Sequence, residues 1–130
     1  MTTKLLLVRK LLPFISLGYT VVIIVLSLAT ISDISIIPDN NDKVNHAIAH
    51  FIFVGLWFLS FYFYLNKSKK QALKMAFISA FLFGIVIEIL QHTLTESRQA
   101  DYKDVIANVV GALIAVLIIN LLTLSKVKND

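Results

Sequence analysis

Four apolar segments of about twenty residues each dominate the chain, and the polar stretches between them are too short to form a separate water-soluble domain. A helix needs about 20 residues to cross the roughly 30 Å hydrocarbon core of a bilayer. Hydrophobic residues make up 58% of the 130 positions and charged residues 15%, which is unlike an ordinary soluble domain. The sequence therefore predicts an all-α polytopic membrane protein, a single transmembrane domain over residues 1–130 with spans at about 13–31, 46–65, 73–94 and 105–124.

The distribution of lysine and arginine predicts how the chain crosses the membrane. Nine of the twelve basic residues precede the first span, lie between the second and third or in the first turn of the third, or follow the fourth. Only Lys43, Arg98 and Lys103 belong to the other two connections. Because cytoplasmic loops are enriched in lysine and arginine, we expect an N-in/C-in protein whose first and third connections face outward. The basic residues of these loops account for the pI of about 9.4. We expect them to orient the chain and to contact anionic lipid, and we expect no nucleic-acid partner.

Polar residues are concentrated between positions 84 and 111, where the third span ends and the fourth begins. Each of these two spans carries a row of small residues that becomes polar toward the outward connection. Small residues allow close helix packing, and a short connection makes the two helices antiparallel neighbours, so we expect the rows to meet as a hairpin. The third span contributes Ala76, Ala80, Gly84, Glu88, Gln91 and His92, and the fourth contributes Asp101, Asp104, Asn108, Gly111 and Ala115.

The start of the second span adds a third polar helix end. Asp42, His46 and His50 are spaced by four residues and so share one helical face. Asp42 also suits a capping or first-turn position at the positive helix terminus. Together with Glu88 and Asn108, this face predicts a polar pocket in the outer leaflet. Polar residues that tie three helices together without a ligand are the alternative interpretation.

Glu88 is expected one to two turns inside the membrane. An unpaired ionised carboxylate there costs roughly 3 kcal/mol. Glu88 should therefore be protonated, face water, or pair with a cation such as Arg98 or Lys43.

In these motifs the chain resembles the VanZ-like membrane proteins, which are named after a teicoplanin-resistance protein. The motifs are D-K-V-N-H at 42–46, G-x-x-x-E-x-x-Q beginning at Gly84, Arg98, and D-V-I-A-N-V-V-G at 104–111. The family pattern has tyrosine where this chain has His50, and His92 matches no motif position. The resemblance covers most of the chain from Asp42 to the fourth span.

The resemblance implies a multi-pass protein of the bacterial cytoplasmic membrane that affects the cell envelope and, in some cases, susceptibility to teicoplanin-type glycopeptides. It does not imply a reaction, so whether the protein is an enzyme stays open. The residues that it carries over are Asp42, Lys43, His46, Glu88, Gln91, Arg98, Asp104, Asn108 and Gly111.

The first functional hypothesis is a site that binds or modifies a lipid-linked envelope component at the outer leaflet. His46 and Glu88 are the candidate catalytic acid/base pair, because burial raises the pKa of a carboxylic acid toward that of histidine. Arg98 and Lys43 could clamp a phosphate or carboxylate. The candidate ligand-binding residues are Asp42, Lys43, Gln91, Arg98, Asp101, Asp104 and Asn108.

Two other classes of function compete with this hypothesis. A zinc site could use His46, His50, Glu88 and His92, but two of these lie outside the family motifs, so we expect no metal and no cofactor. The third class is a non-enzymatic adaptor, channel or proton-coupled carrier whose polar residues are structural. Across these classes, the expected partners are membrane lipids or a lipid-linked envelope precursor, with a second copy of the chain or another membrane protein as further candidates.

Overall fold

A computed structural model describes residues 2–29, 42–95 and 101–122 of the chain. These residues form four α-helices and no strand, and the second α-helix continues directly into a π-helical turn, Ser60–Tyr64. All four helices are long and apolar enough to cross a membrane, which confirms the predicted all-α class with four spans. The helices are α1 (Thr3–Leu28), α2 (Asp42–Leu59), α3 (Lys69–Leu94) and α4 (Tyr102–Leu121).

All four helices begin at least three residues before the apolar segments from which they were predicted. α1 begins at Thr3, ten residues early, after Thr2 caps it by accepting a hydrogen bond from the Leu5 N–H. Ser68 and Gln71 form a reciprocal capping box at the start of α3. The helices are longer than the hydropathic segments because capping residues decide where a helix begins, whereas hydropathy marks only its apolar part.

Helices α2 and α4 run in the same direction and are in close contact at Gly111. Contacts between Lys43 and Asp104, His46 and Asn108, and Ala47 and Gly111 follow the same order along both helices. A Cβ atom added to Gly111 would lie 1.9 Å from the Ala47 carbonyl oxygen, so only glycine allows this separation. Helix α3 runs antiparallel to both helices.

The predicted rows of small residues face each other in this packing. Ala76, Ala80 and Gly84 of α3 are buried, as are Gly111 and Ala115 of α4. An added Cβ at Gly84 would meet the Asn108 side chain, which confirms that the polar and small rows of α3 and α4 meet. The buried core adds aromatic residues of α2 such as Phe53 and Phe58.

Helix α1 packs against α2 through a separate set of polar contacts. The Ser16 hydroxyl lies 2.8 Å from that of Ser60 and 3.0 Å from the Leu56 carbonyl oxygen. Trp57 donates a hydrogen bond to the hydroxyl of Thr20. We call the Ser16–Ser60 contact and its carbonyl partners the serine seam.

Candidate functional site

Seven polar residues meet where α2 and α4 begin and α3 approaches its end. We call this group the polar cluster: Asp42, Lys43 and His46 of α2, Glu88 of α3, and Asp101, Asp104 and Asn108 at the start of α4. All seven belong to the site predicted from the sequence. Arg98, which was also predicted to belong to it, lies outside the described residues.

Lys43 joins the beginnings of α2 and α4. Its ammonium group lies 2.8 Å from Asp101 Oδ2 and also pairs with Asp104 Oδ1. The hydrogen bond from Lys43, together with one from the Lys103 backbone N–H, holds the pKa of the Asp101 carboxyl below its usual value. The ammonium group is thus engaged with two carboxylates, and the predicted use of Lys43 as an anion clamp would require breaking these contacts.

The His46 ring lies between the carboxyl groups of Asp42 and Asp104 and the side-chain amide of Asn108. Its Nδ1 atom lies 3.1 Å from Asn108 Oδ1, so with oxygen as the acceptor Nδ1 carries the proton. Its Nε2 atom lies 3.6 Å from Asp104 Oδ2 and 3.8 Å from Asp42 Oδ1. These separations are too long for hydrogen bonds, which leaves Nε2 available to exchange a proton with a ligand.

Glu88 is buried, with 7% of its surface exposed. Its Oε1 atom accepts a hydrogen bond of 2.9 Å from the Asp101 backbone N–H, so the carboxyl group binds the positive N-terminal end of α4. Within residues 2–29, 42–95 and 101–122, Oε2 has no hydrogen-bond partner. Of the partners expected from the sequence, Lys43 is not used, because its ammonium group is held by Asp101 and Asp104.

Gln91 does not join the polar cluster, although the sequence placed it among the ligand-binding residues. Its side chain is buried and donates a hydrogen bond of 2.9 Å to the Ser27 carbonyl oxygen near the end of α1. Gln91 therefore ties α3 to α1. No sequence motif marked Ser27, because its contribution is a backbone carbonyl group.

The residues whose possible metal-ligand atoms lie close together are not the four residues of the predicted zinc site. Among the described residues, atoms of Asp42, His46 and Asp104 lie within 4.8 Å of one another. His50 is instead buried beside Phe53, Phe83 and Gly84, and His92 is exposed. The four residues of the zinc option form no such group in this part of the chain.

The fold and the cluster define a multi-pass helical membrane protein in which polar side chains from three helices meet at one end of the bundle. The family model described as VanZ/LLP1 matches residues 2–123. The chain therefore belongs to the VanZ/LLP1 family, which confirms the resemblance seen in its motifs. Searches of curated proteins and of solved structures each gave no match.

Proposed function

We propose that this VanZ-family protein acts on the cell envelope from the bacterial cytoplasmic membrane, by binding or modifying a lipid-linked envelope component at the polar cluster. The observation that carries the proposal is the convergence of ionisable side chains from three membrane helices at one end of the bundle. Ionisable groups in membrane helices are costly and are functional candidates by default. The family membership supports a role in susceptibility to teicoplanin-type glycopeptides.

The distribution of basic residues supports an outer-leaflet position for this site. The cluster lies at the ends of the two connections that are poor in lysine and arginine. By the positive-inside rule these connections face outward, and both termini face the cytoplasm. A lipid-linked component displayed on the outer leaflet would then approach the cluster laterally or from above.

The charges of the cluster favour a ligand with amino or hydroxyl groups. Its described residues include four carboxyl groups, those of Asp42, Glu88, Asp101 and Asp104, whereas Lys43 supplies the ammonium group among them. Carboxylates accept hydrogen bonds from ammonium and hydroxyl donors. A phosphate group would have to draw Lys43 away from its two carboxylates or use Arg98.

If the protein modifies its ligand, His46 and Glu88 are the proposed acid/base residues. Each uses one polar atom to fix its orientation, Nδ1 of His46 on Asn108 and Oε1 of Glu88 on the start of α4. The remaining atoms, Nε2 and Oε2, make no hydrogen bond within the described residues. A fixed orientation with one available atom is what proton transfer to a positioned ligand needs.

The test is expression of His46→Ala and Glu88→Gln variants in a teicoplanin-susceptible bacterium. The proposal predicts that both variants lose any shift in susceptibility that the wild-type protein confers, while their amount in the membrane is unchanged. His92→Ala is the matched control, because His92 is exposed and outside the cluster. A wild-type phenotype in both variants would contradict the proposal. A phenotype lost only because the variant proteins are missing from the membrane would also contradict it.

The polar pairing within the cluster, and beside it at Gln91, favours a second candidate, a non-enzymatic adaptor whose polar contacts fix the helix ends. Lys43 bridges α2 and α4, Glu88 holds the start of α4, and Gln91 binds the end of α1. An adaptor predicts that His46→Ala and Glu88→Gln lower the thermal stability of the purified protein in proportion to the phenotype that they lose. Loss of phenotype at unchanged stability would reject the adaptor and favour the ligand site.

A further inference from the structure

Two buried side chains, one at the base of the polar cluster and one below it, present polar atoms to the same glycine. His50 of α2 is 3% exposed and Asn108 of α4 is 2% exposed. Neither ring nitrogen of His50, nor Nδ2 of Asn108, makes a hydrogen bond within residues 2–29, 42–95 and 101–122. The carbonyl groups of His46 and Ala80 lie near the His50 ring without reaching hydrogen-bond geometry.

Both nitrogens lie against the backbone of Gly84, which has no side chain to separate them from α3. A Cβ atom built on Gly84 would lie 3.0 Å from Asn108 Nδ2 and 3.0 Å from His50 Nε2. The two nitrogens are therefore at most twice 3.0 Å apart, a separation that one bridging oxygen atom can span. We call the space bounded by Gly84, His50 and Asn108 the Gly84 niche.

The chemistry of the two side chains defines what the niche can hold. Asn108 Oδ1 faces His46 Nδ1, so the amide nitrogen is left as a donor toward the niche. Nε2 of a neutral imidazole donates or accepts depending on the tautomer. A hydroxyl oxygen both donates and accepts, and so it satisfies either tautomer.

The alternatives fit less well. A metal ion cannot bind the amide N–H donor, and a buried anion would carry a large desolvation cost. An empty niche would leave both polar groups unpaired, at about 1–3 kcal/mol each. Buried polar groups of this kind are usually joined by an internal water.

We propose that the Gly84 niche binds one hydroxyl oxygen, from a water molecule or from a hydroxyl group of a bound lipid, which bridges Asn108 and His50. This inference does not depend on the proposed function of the polar cluster. The niche nevertheless lies directly below that cluster, because Asn108 binds His46 with one amide atom and faces the niche with the other. An occupant would thus fix the amide that orients His46.

The test is NMR on the full-length protein with ¹⁵N-labelled histidine and asparagine, in nanodiscs of phosphatidylethanolamine and phosphatidylglycerol. Magnetisation transfer from water should reach the His50 ring and the Asn108 side-chain amide. In Gly84→Ala, whose methyl group takes up the niche, both signals should be lost. Gly55→Ala is the control, because an added Cβ there meets no atom within 4 Å, and it should keep both signals.

The second arm identifies the source of the oxygen. If nanodiscs made from bacterial membrane lipid replace the water signal with a lipid signal at the same two groups, the oxygen belongs to a lipid hydroxyl. If the water signal persists, the occupant is water. The absence of both signals in the wild type would overturn the proposal, because the niche would then be empty.

A second variant keeps the test decisive if Gly84→Ala fails to fold. His50→Phe keeps a ring of similar size but removes both nitrogens, so one side of the bridge is lost. The transfer from water or lipid to the Asn108 amide should then disappear or weaken severalfold. An unchanged Asn108 signal in His50→Phe would contradict a bridging oxygen.

Discussion

The serine seam and the polar cluster both place polar groups between membrane helices, but they satisfy these groups differently. The Ser16 hydroxyl is fully buried and lies within 3.0 Å of two carbonyl oxygens and of the Ser60 hydroxyl. Glu88 in the cluster keeps one oxygen without a partner among the described residues. Polarity alone therefore does not distinguish the two regions, whereas the unpartnered oxygen of a buried ionisable group does.

The largest loss of stability is expected outside both regions, where α4 contacts α2 closely at Gly111. Gly111→Ala places a methyl group 1.9 Å from the Ala47 carbonyl oxygen and must push the two helices apart. We expect a loss of about 3 kcal/mol, at the upper end for overpacking. Thermal unfolding in detergent measures it, with Gly55→Ala as the control. Equal stability of the two variants would show that α2 and α4 are not held together at this point.

A smaller effect is expected in the serine seam. Ser16→Ala removes a buried hydroxyl that joins α1 to α2, and polar contacts between membrane helices contribute about 1 kcal/mol. The same unfolding assay should show a loss of this size with no change in envelope phenotype. If Ser16→Ala abolished the phenotype at normal protein levels, the distinction between the seam and the cluster would fail.

The smallest effect concerns the pH dependence of stability at the exposed edge of the cluster. The pKa of Asp101 is lower in the folded protein than in the unfolded chain, chiefly because Lys43 donates a hydrogen bond to it. The resulting stabilisation is complete above the ordinary aspartate pKa of about 4 and is lost as the pH falls through the lowered pKa.

Lys43→Met should therefore flatten the decline of stability below about pH 4. Unfolding measured from neutral to acidic pH tests this expectation. Lys103→Met is the control, because it keeps the hydrogen bonds that Asp101 accepts from the Lys43 side chain and from the backbone N–H of residue 103. An unchanged acid limb in Lys43→Met would mean that the ion pair does not form in the membrane protein.

The length of the apolar segments was sufficient to predict the four helices, and helical periodicity was sufficient to predict their facing rows. Gly84 and Asn108 meet because both follow the 3.6-residue period of their helices, and this period can be read from the sequence. Lys43 was one of two cations named as a partner for Glu88, but it pairs with Asp101 and Asp104. Residue spacing places a charge at a helix end but does not select one of several carboxylates there.

The partners that sequence reasoning missed are mainly backbone groups. Glu88 binds the N–H of Asp101, and Gln91 binds the carbonyl group of Ser27. Every residue except proline carries both groups, so no residue type identifies them. The π-helical turn at Ser60–Tyr64 was likewise not predicted, because its residues also suit an α-helix.

The most direct test of the cluster as the functional site compares His46→Ala with Ser16→Ala in the same cells. The measurement is the shift in teicoplanin susceptibility per amount of protein in the membrane. Our account predicts that His46→Ala removes the wild-type shift, whereas Ser16→Ala retains it despite its lower stability. Equal loss in both variants, or retention in His46→Ala, would contradict it.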